Sequence, residues 1–298
     1  MKRISAVVLS FLILSAALFS ANAAVYNGFE TKEKVIFSDG TWEYAQVRTY
    51  GYEINKYLGN DADVDVPYVF AKQYVNSLGA HAFNINTNVT SVNTTYLIDT
   101  IGDYAFNGCS SLKTVKLYDS LTTLGVGCFY GDNALKNINI QNTSIAAVPA
   151  YCFAECGITR LPLPETCTSI GNYAFYNCSG LLRVEIPDSV TEIADTAFDG
   201  CDNLVIVCSA DSYAAQYAEA NGIDYALKDD FVMGDFNGDG NVTIRDVTFI
   251  QLYRVGLQDI DKFATARCDI NGDGKVDIRD ATYIQMYRAQ LIDSLDNI

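Results

Sequence analysis

Histidine is almost missing from this chain: His81 is the single one in 298 residues. That excludes a multi-histidine zinc site and a relay of histidine acid–base groups. Proline is scarce as well, five residues beside 21 glycines, which excludes a collagen-like or Pro-rich stalk. Basic residues are outnumbered, 20 Lys and Arg against 36 Asp and Glu, for a formal net charge of −16. Such a surface repels a phosphate backbone and excludes general nucleic-acid binding. Cys-x-x-Cys does not occur, so a thiolate zinc site is not expected. Beyond the N-terminus no apolar run is long enough to span a bilayer. What is present, 49% hydrophobic and 19% charged residues, is too apolar for a disordered chain. The length allows two domains.

Met1-Lys2-Arg3 is a short basic start, Ile4 to Phe19 is almost wholly apolar, and Ala21-Asn22-Ala23 is a small-x-small cleavage site. This is the layout of a secretory signal peptide, and the apolar run is shorter than the ~20 residues that span a bilayer. The mature chain is expected to start near Ala24, and loss of Lys2 and Arg3 takes the charge to −18. Leu163-Pro164-Glu165-Thr166-Cys167 superficially matches a wall-sorting signal. It lies mid-chain with no hydrophobic tail behind it, and is read as structural.

A frame Leu-x-x-Val-x-Leu recurs every 23 residues, starting at Val89, Leu112, Leu135, Ile158, Leu181 and Leu204. A second signature precedes each copy: Leu78 to Phe83, Ile101 to Phe106, Leu124 to Phe129, Val148 to Phe153, Ile170 to Phe175 and Ile193 to Phe198. A unit this short cannot bury its own apolar face, but stacked copies bury a continuous core. Alternation such as Val184 and Ile186 predicts a short strand with one face inward. The Ile-Gly-x-Tyr-Ala-Phe stretch predicts a return turn whose Phe fills the core. These residues resemble the leucine-rich repeats of the bacterial cell-surface (BspA-like) type, and Leu181 to Cys201 follow that pattern almost throughout. The resemblance covers roughly residues 50–226. It includes an opening coil at Tyr52-Glu53-Ile54 to Val69 and a closing helix and strand from Ser212 to Tyr225. Asp132 departs from it, standing where Cys is usual, as do Cys128 and Cys152, where Ala is usual.

Cys109, Cys156, Cys178 and Cys201 each follow the repeat Phe by three; Cys128 and Cys152 precede it by one. Equivalent positions of adjacent coils stack about 4.8 Å apart. Buried free thiols packed as core residues are the favoured reading. Disulfides such as Cys128–Cys152 or Cys178–Cys201 are the alternative, since export permits oxidation. His81 occupies a slot held elsewhere by Tyr104, Asn172-Tyr173 or Asp195-Thr196, and is read as a variable surface position. Trp42 is read as packing in the N-terminal cap. The strand face is expected to expose Thr114, Lys116, Tyr118, Asn137, Asn139, Gln141, Arg160, Arg183 and Glu185, a mixed polar strip without an aromatic row. Solenoids commonly bind along this face, although ordinary solvated surface would look the same.

Near Lys228-Asp229-Asp230 the pattern changes. Asp235 to Asp246 and Asp269 to Asp280 are twelve-residue loops offset by 34, and residues 235–257 and 269–291 agree at 15 of 23 positions. Calcium takes six to eight oxygens. Positions 1, 3 and 5 supply Asp235, Asn237, Asp239 and Asp269, Asn271, Asp273. Glycine at position 6 permits the sharp turn. Asn241 and Lys275 at position 7 would give backbone carbonyls, Thr243 and Asp277 at position 9 would act through water, and Asp246 and Asp280 at position 12 would supply the bidentate carboxylate. Two Ca2+ ions are therefore expected. From Asp229 onward 13 acids face seven bases, so two calcium ions take this module from −6 to −2. So small a core should depend on metal for its fold. Each loop is predicted to run into a helix with an apolar side: Val247, Ile250, Tyr253, Leu257 and Ala281, Ile284, Tyr287, Leu291.

A calmodulin-like sensor would need a helix before each loop and a Met-rich groove. Phe231-Val232-Met233-Gly234 is no incoming helix, and the chain has three Met. With Asp at position 12 and one helix per loop, residues 231–292 resemble a type I dockerin. The resemblance implies docking onto a scaffoldin cohesin in a cellulosome of plant-fibre-degrading bacteria. It implies cohesin contacts at Ile244, Arg245, Gln251, Leu252 and Gly256, and at Ile278, Arg279, Gln285, Met286 and Gln290. These depart from the best-known pattern of small hydroxyls followed by basic residues, so the Ile with Leu or Met pairs imply a more apolar contact. The near-identity of the halves suggests that either could bind.

The expected architecture is an α/β-type solenoid of leucine-rich repeats, short strands plus return turns, followed by a small all-α dockerin with two calcium-binding loop–helix (F-hand) motifs. The expected boundaries are 1–23 for the signal peptide, 24–75 for the cap and opening coil, 76–227 for the solenoid with its closing cap, and 228–298 for the dockerin. The expected role is a secreted, non-catalytic cellulosome component, extracellular and held at the cell surface through the assembly. Its repeats would present a protein- or polysaccharide-binding surface. An enzyme with its site hidden in the repeats is one alternative, although no catalytic carboxylate pair is recognisable. A free-standing adhesin or inhibitor capped by the calcium module is the other.

Overall fold

The computed structural model describes residues 35–48 and 51–295. The expected signal peptide and its cleavage site lie outside the described residues.

The chain winds as a solenoid. Short parallel strands line one face in two runs: Asp63–Asp65, Ser91–Asn93 and Thr114–Lys116, then Arg160–Pro162, Arg183–Glu185, Val205–Cys208 and Asp224–Leu227. Two-residue strands such as Thr100–Ile101, Thr123–Leu124 and Ser169–Ile170 form a second parallel ladder. The return turns are also paired from coil to coil. Phe83, Phe106, Phe129, Phe153 and Phe175 each donate their N–H to a carbonyl of the next coil at 2.7–2.9 Å. Backbone polar groups are thereby satisfied on three sides of a dry core.

That core is the predicted one. Phe83, Phe106, Phe129, Phe153, Phe175 and Phe198 form a single column with ring centroids 4.9–5.6 Å apart and planes within 14° of parallel. Leu112, Leu135, Ile158 and Leu181 are fully buried beside it. The nine cysteines are all unpaired. Four of the thiols repeat one bond: Cys109, Cys156, Cys178 and Cys201 donate to the carbonyls of Phe83, Phe129, Phe153 and Phe175 at 2.7–3.2 Å. Asp132 takes the same column position, and its Oδ1 accepts the Cys109 N–H at 2.8 Å. Its Oδ2 is buried without a partner among the described residues. Burial is the main cause that pushes this carboxyl well above the usual carboxylate range.

The frame that starts at Leu135 keeps its buried Leu135, Ile138 and Ile140 but forms no strand. The side chain of Asn139 replaces the ladder: its Oδ1 accepts from Leu117 N at 3.0 Å and its Nδ2 donates to Leu117 O at 2.9 Å. An amide side chain is a copy of a peptide group, so the strip is interrupted without loss of pairing. Before the first coil, Ile36–Ser38, Trp42–Arg48 and Gly51–Tyr57 pair antiparallel, and the last continues parallel into Gln73–Leu78. Trp42, Tyr44 and Tyr52 are buried there, with Tyr44 stacked on Phe70 at 3.8 Å. This cap closes the open end of the column. At the other end Ser212 caps α1 (Tyr213–Asn221) by accepting from Ala215 N, and Asp224–Leu227 adds the last strand.

Three helices follow: α2 (Ile244–Arg254), α3 (Lys262–Cys268) and α4 (Ile278–Arg288). The short α3 between the two loop–helix units was not expected. Val247, Ile250, Ala281 and Ile284 are buried together with Phe236, Cys268 and Ile270. Leu257 and Leu291, predicted to share that apolar side, are instead 74% and 71% exposed. The helices end at Arg254 and Arg288, so these leucines lie past the last helical turn and do not follow its face.

Candidate functional site

Both acidic loops are built by backbone donors that aim carboxylates inward. Asp235 accepts the N–H groups of Gly238 (2.8 Å), Asp239 (3.2 Å) and Gly240 (2.8 Å). Asp269 accepts those of Asp273 (3.1 Å) and Gly274 (2.9 Å). Gly240 and Gly274 take φ of +80° and +84°, which a side chain would disfavour. Position 12 serves twice. Asp246 is the third residue of α2 and forms a reciprocal cap with Thr243, while its Oδ1 accepts from Phe236 N at 3.0 Å. Asp280 does the same with Asp277 and Ile270. The shorter Asp therefore ties both ends of each loop to the start of the helix, a role the capping-box geometry assigns to an acidic residue.

The donor set fits calcium. Asp235, Asp246, Asp269 and Asp280 are 0–5% exposed. Among the described residues none of the four forms an ion pair with a basic side chain. Buried carboxylates without a counter-cation are costly, and a divalent ion compensates them. Burial, with the neighbouring Asp280 and Asp273 carboxylates, pushes Asp269 up to about 6. Burial raises Asp280 as well. In the same loops Asn237 and Asp239 are exposed and Asn271 and Asp273 half-buried.

The expected cohesin-contact residues form two exposed, equivalent surfaces. Ile244 and Ile278 are 58% and 51% exposed, Arg245, Arg279, Gln251 and Gln285 are exposed, and Leu252 and Met286 are half-buried. Val255, Leu257 and Leu291 add exposed apolar area that the sequence had assigned to the core or left unassigned. Arg279 pairs with Asp277 at 3.0 Å and also with Asp273, which ties that guanidinium to the second loop.

The strand-face strip is corrected by the structure. Its C-terminal part is occupied by the calcium-loop module. The Thr159 hydroxyl donates to Gly272 O at 2.6 Å, and Arg160 Nη1 donates to Ile270 O at 3.1 Å. Arg183, expected at the surface, is 3% exposed. It pairs with Glu185 at 3.2 Å, meets Met233 Sδ and lies 5.3 Å from the centre of the Phe231 ring. Lys262 pairs with Asp224 at 2.7 Å. A Cβ on Gly272 would meet the Asn137 side-chain amide at 2.6 Å, and the φ of +65° there also favours glycine at this contact. Among the strip residues, Thr114, Lys116 and Asn137 remain exposed, beside a depression of about 950 Å³. None of the residues that make these contacts belongs to the cohesin set.

Six copies of the family described as BspA type Leucine rich repeat region match residues 76–205. The Dockerin type I domain family matches residues 233–287. Among solved structures, the chain is similar to the T. pallidum Leucine Rich Repeat protein, with 24% identity and a TM-score of 0.55, over 71% of this chain and 94% of that one. It is also similar to a leucine rich cell surface protein from Faecalibacterium prausnitzii, with 23% identity and a TM-score of 0.48, over 59% of this chain and 55% of that one. No curated protein matches. Among the described residues no helix is long and apolar enough to cross a membrane. Residues 76–205 are a BspA-type leucine-rich repeat region and residues 233–287 are a type I dockerin domain.

Proposed function

We propose that this chain is a secreted, non-catalytic component of a cellulosome, whose dockerin binds two calcium ions and docks onto a scaffoldin cohesin. The repeats are its recognition part, facing a protein or a polysaccharide. The observation that carries the docking reading is the duplicated loop–helix unit itself: four buried carboxylates without cationic partners lie behind two exposed, equivalent apolar–basic surfaces. A dockerin specifies an address and no chemistry, so catalysis belongs to other members of the assembly.

Asp235, Asn237, Asp239 and Asp246 would hold the first ion with the Asn241 carbonyl, and Asp269, Asn271, Asp273 and Asp280 the second with the Lys275 carbonyl. Calcium supplies the charge that orders each loop and so fixes the helix that follows it. Ile244, Arg245, Gln251 and Leu252 on one half, and Ile278, Arg279, Gln285 and Met286 on the other, would meet cohesin. Both sets stay accessible while the module contacts the solenoid, which supports use of either half. Pull-down of a cohesin panel by the mature chain tests the docking role, with calcium and with EDTA. Calcium-dependent capture of one cohesin class is expected, and no capture across the panel sinks the proposal. Ile244→Asp with Arg245→Glu, or Ile278→Asp with Arg279→Glu, should each leave affinity largely intact, while the combination abolishes it. Complete loss from one half alone would defeat dual use.

One observation favours a second reading. The second calcium loop packs on the strand face through Thr159 and Arg160, as a cap would. In a free-standing adhesin or inhibitor that would be its whole purpose. Calcium-dependent stability of the solenoid without any cohesin binding would point there.

A further inference from the structure

The return-turn face carries a feature that the strand face lacks. Two positions of each turn lie in the left-handed backbone region in five successive coils: first His81 (φ 62°), Tyr104 (54°), Gly127 (59°), Tyr151 (57°) and Tyr173 (56°), and four residues on Ile85, Gly108, Gly131, Glu155 and Asn177. Glycine takes that conformation freely, and Gly127 does so in the middle coil. In the other four coils a large planar ring is held there, against the backbone preference of an L-residue.

The rings stack in two pairs: His81 on Tyr104 at 5.6 Å with planes 6° apart, and Tyr151 on Tyr173 at 5.2 Å with planes 21° apart. The column misses one ring, at Gly127. The Tyr104 ring leans over the Gly127 position, and a shallow depression of about 340 Å³ beside it is lined by His81, Asn84, Tyr104, Asn107, Tyr130 and Tyr151. Its polar groups are amides, phenols and the His81 imidazole, with no carboxylate or Lys or Arg among them. Asn107 Nδ2 donates to Asn84 Oδ1 at 2.7 Å, which leaves the Asn84 amide nitrogen and the Asn107 amide oxygen to reach outward. The Tyr130 hydroxyl donates to Glu155 at 3.0 Å, which fixes its ring at the edge.

We infer that this depression is a subsite for one sugar ring of a neutral, extended polysaccharide whose chain follows the solenoid axis across successive coils. The inference rests on the reading of the repeats as a recognition part, and moves that role from the strand face to the turn face. A pyranose has a face of C–H groups that packs on the electron-rich face of an aromatic ring, and a rim of hydroxyls that pairs with amides. Coils repeat about every 4.8 Å, of the same order as the residue repeat of an extended glycan. The net charge of −16, with Glu155 beside the slot, disfavours acidic polymers and nucleic acid. A furrow one ring wide offers far less than the ~800 Å² that each partner buries in a stable protein interface.

The test uses the full mature chain with calcium. Its probes are soluble xyloglucan, arabinoxylan, mixed-linkage β-glucan and galactomannan, with polygalacturonate as the acidic control. Affinity electrophoresis and calorimetry read the binding. Tyr104→Gly and Tyr151→Gly remove one ring each and relax the turn, so the coil should still fold. Gly127→Tyr fills the gap on a backbone already shaped like that of Tyr104. A Cβ there meets the Tyr104 ring at 2.4 Å, so that side chain must swing aside. At least one neutral polymer should bind, and each of the three variants should weaken it about tenfold. Circular dichroism and cohesin binding should stay unchanged. Binding that survives all three variants, equal binding of polygalacturonate, or loss of a protein partner in place of a glycan would overturn the subsite. Failure of every neutral polymer would overturn it too, while cohesin capture by the same sample would leave the docking proposal standing.

Discussion

The contact between the second acidic loop and the solenoid makes the two proposed calcium sites unequal, although their sequences are near copies. Thr159, 1% exposed, donates to Gly272 O at 2.6 Å, and Arg160 donates to Ile270 O at 3.1 Å. Neither carbonyl belongs to an expected calcium-ligand position, so the solenoid holds the loop without competing for the ion. A neutral hydrogen bond contributes about 1 kcal/mol net and one from a charged donor about 1.5–3 kcal/mol. Allowing for the partial exposure of Arg160, Thr159→Val with Arg160→Ala should release about 2 kcal/mol of loop ordering. Metal binding and loop ordering are linked, so the second site should bind calcium about thirtyfold more weakly. Calorimetric titration of the chelator-stripped mature chain reads this, with Asp235→Ala to silence the first site and Asp269→Ala to silence the second. The first site should not change. Equal loss at both sites, or no loss at the second, would refute the reasoning.

Three further outcomes follow from the core. Phe129→Ala removes a fully buried ring from the middle of the column and should cost the solenoid about 3–5 kcal/mol in denaturant unfolding; a loss below ~1 kcal/mol would mean that the column does not carry the fold. Burial pushes Cys109 and Cys201 up to about 12, and burial raises Cys152 and Cys156 well above the ordinary thiol range. The native chain should therefore resist thiol reagents at pH 8, and unreduced denatured chain should expose all nine thiols; fewer than nine would reveal a disulfide. Because burial raises the Asp132 carboxyl above its unfolded value, its contribution is complete below the unfolded pKa of 3.8 and is lost as pH rises towards the folded value. Asp132→Asn should thus stabilise the chain at pH 7 by about 1 kcal/mol and flatten its loss of stability from acid to neutral pH. Lower stability of the variant at both ends of that range would contradict the assignment.

What could be read from the sequence was whatever repeats along it. The 23-residue period placed Phe129 and its equivalents in one column, and the paired loops singled out Asp235, Asp246, Asp269 and Asp280, which the structure then shows to be buried. Features formed between distant or irregular segments stayed hidden. Thr159 meets Gly272 across 113 positions, and no periodicity links a strand residue to a calcium loop. Asn139 kept the spacing of its frame while its side chain replaced the strand ladder, so the pattern predicted a strand that is absent. The fates of Leu257 and Leu291 turned on where helices α2 and α4 stop, which apolar spacing does not fix. The ring column at His81, Tyr104, Tyr151 and Tyr173 was present as a recurring slot, but its stacking and its gap at Gly127 required the coils to be superposed.

The central claim is that the C-terminal module is a calcium-dependent address. The most direct measurement is calorimetric titration of the mature chain against a cohesin panel, in calcium and in EDTA, with Asp246→Ala plus Asp280→Ala as the matched variant. The account predicts saturable binding to one cohesin class in calcium, and none in EDTA or in the variant. Binding that persists without calcium, or a calcium-folded module that binds no cohesin, would contradict it.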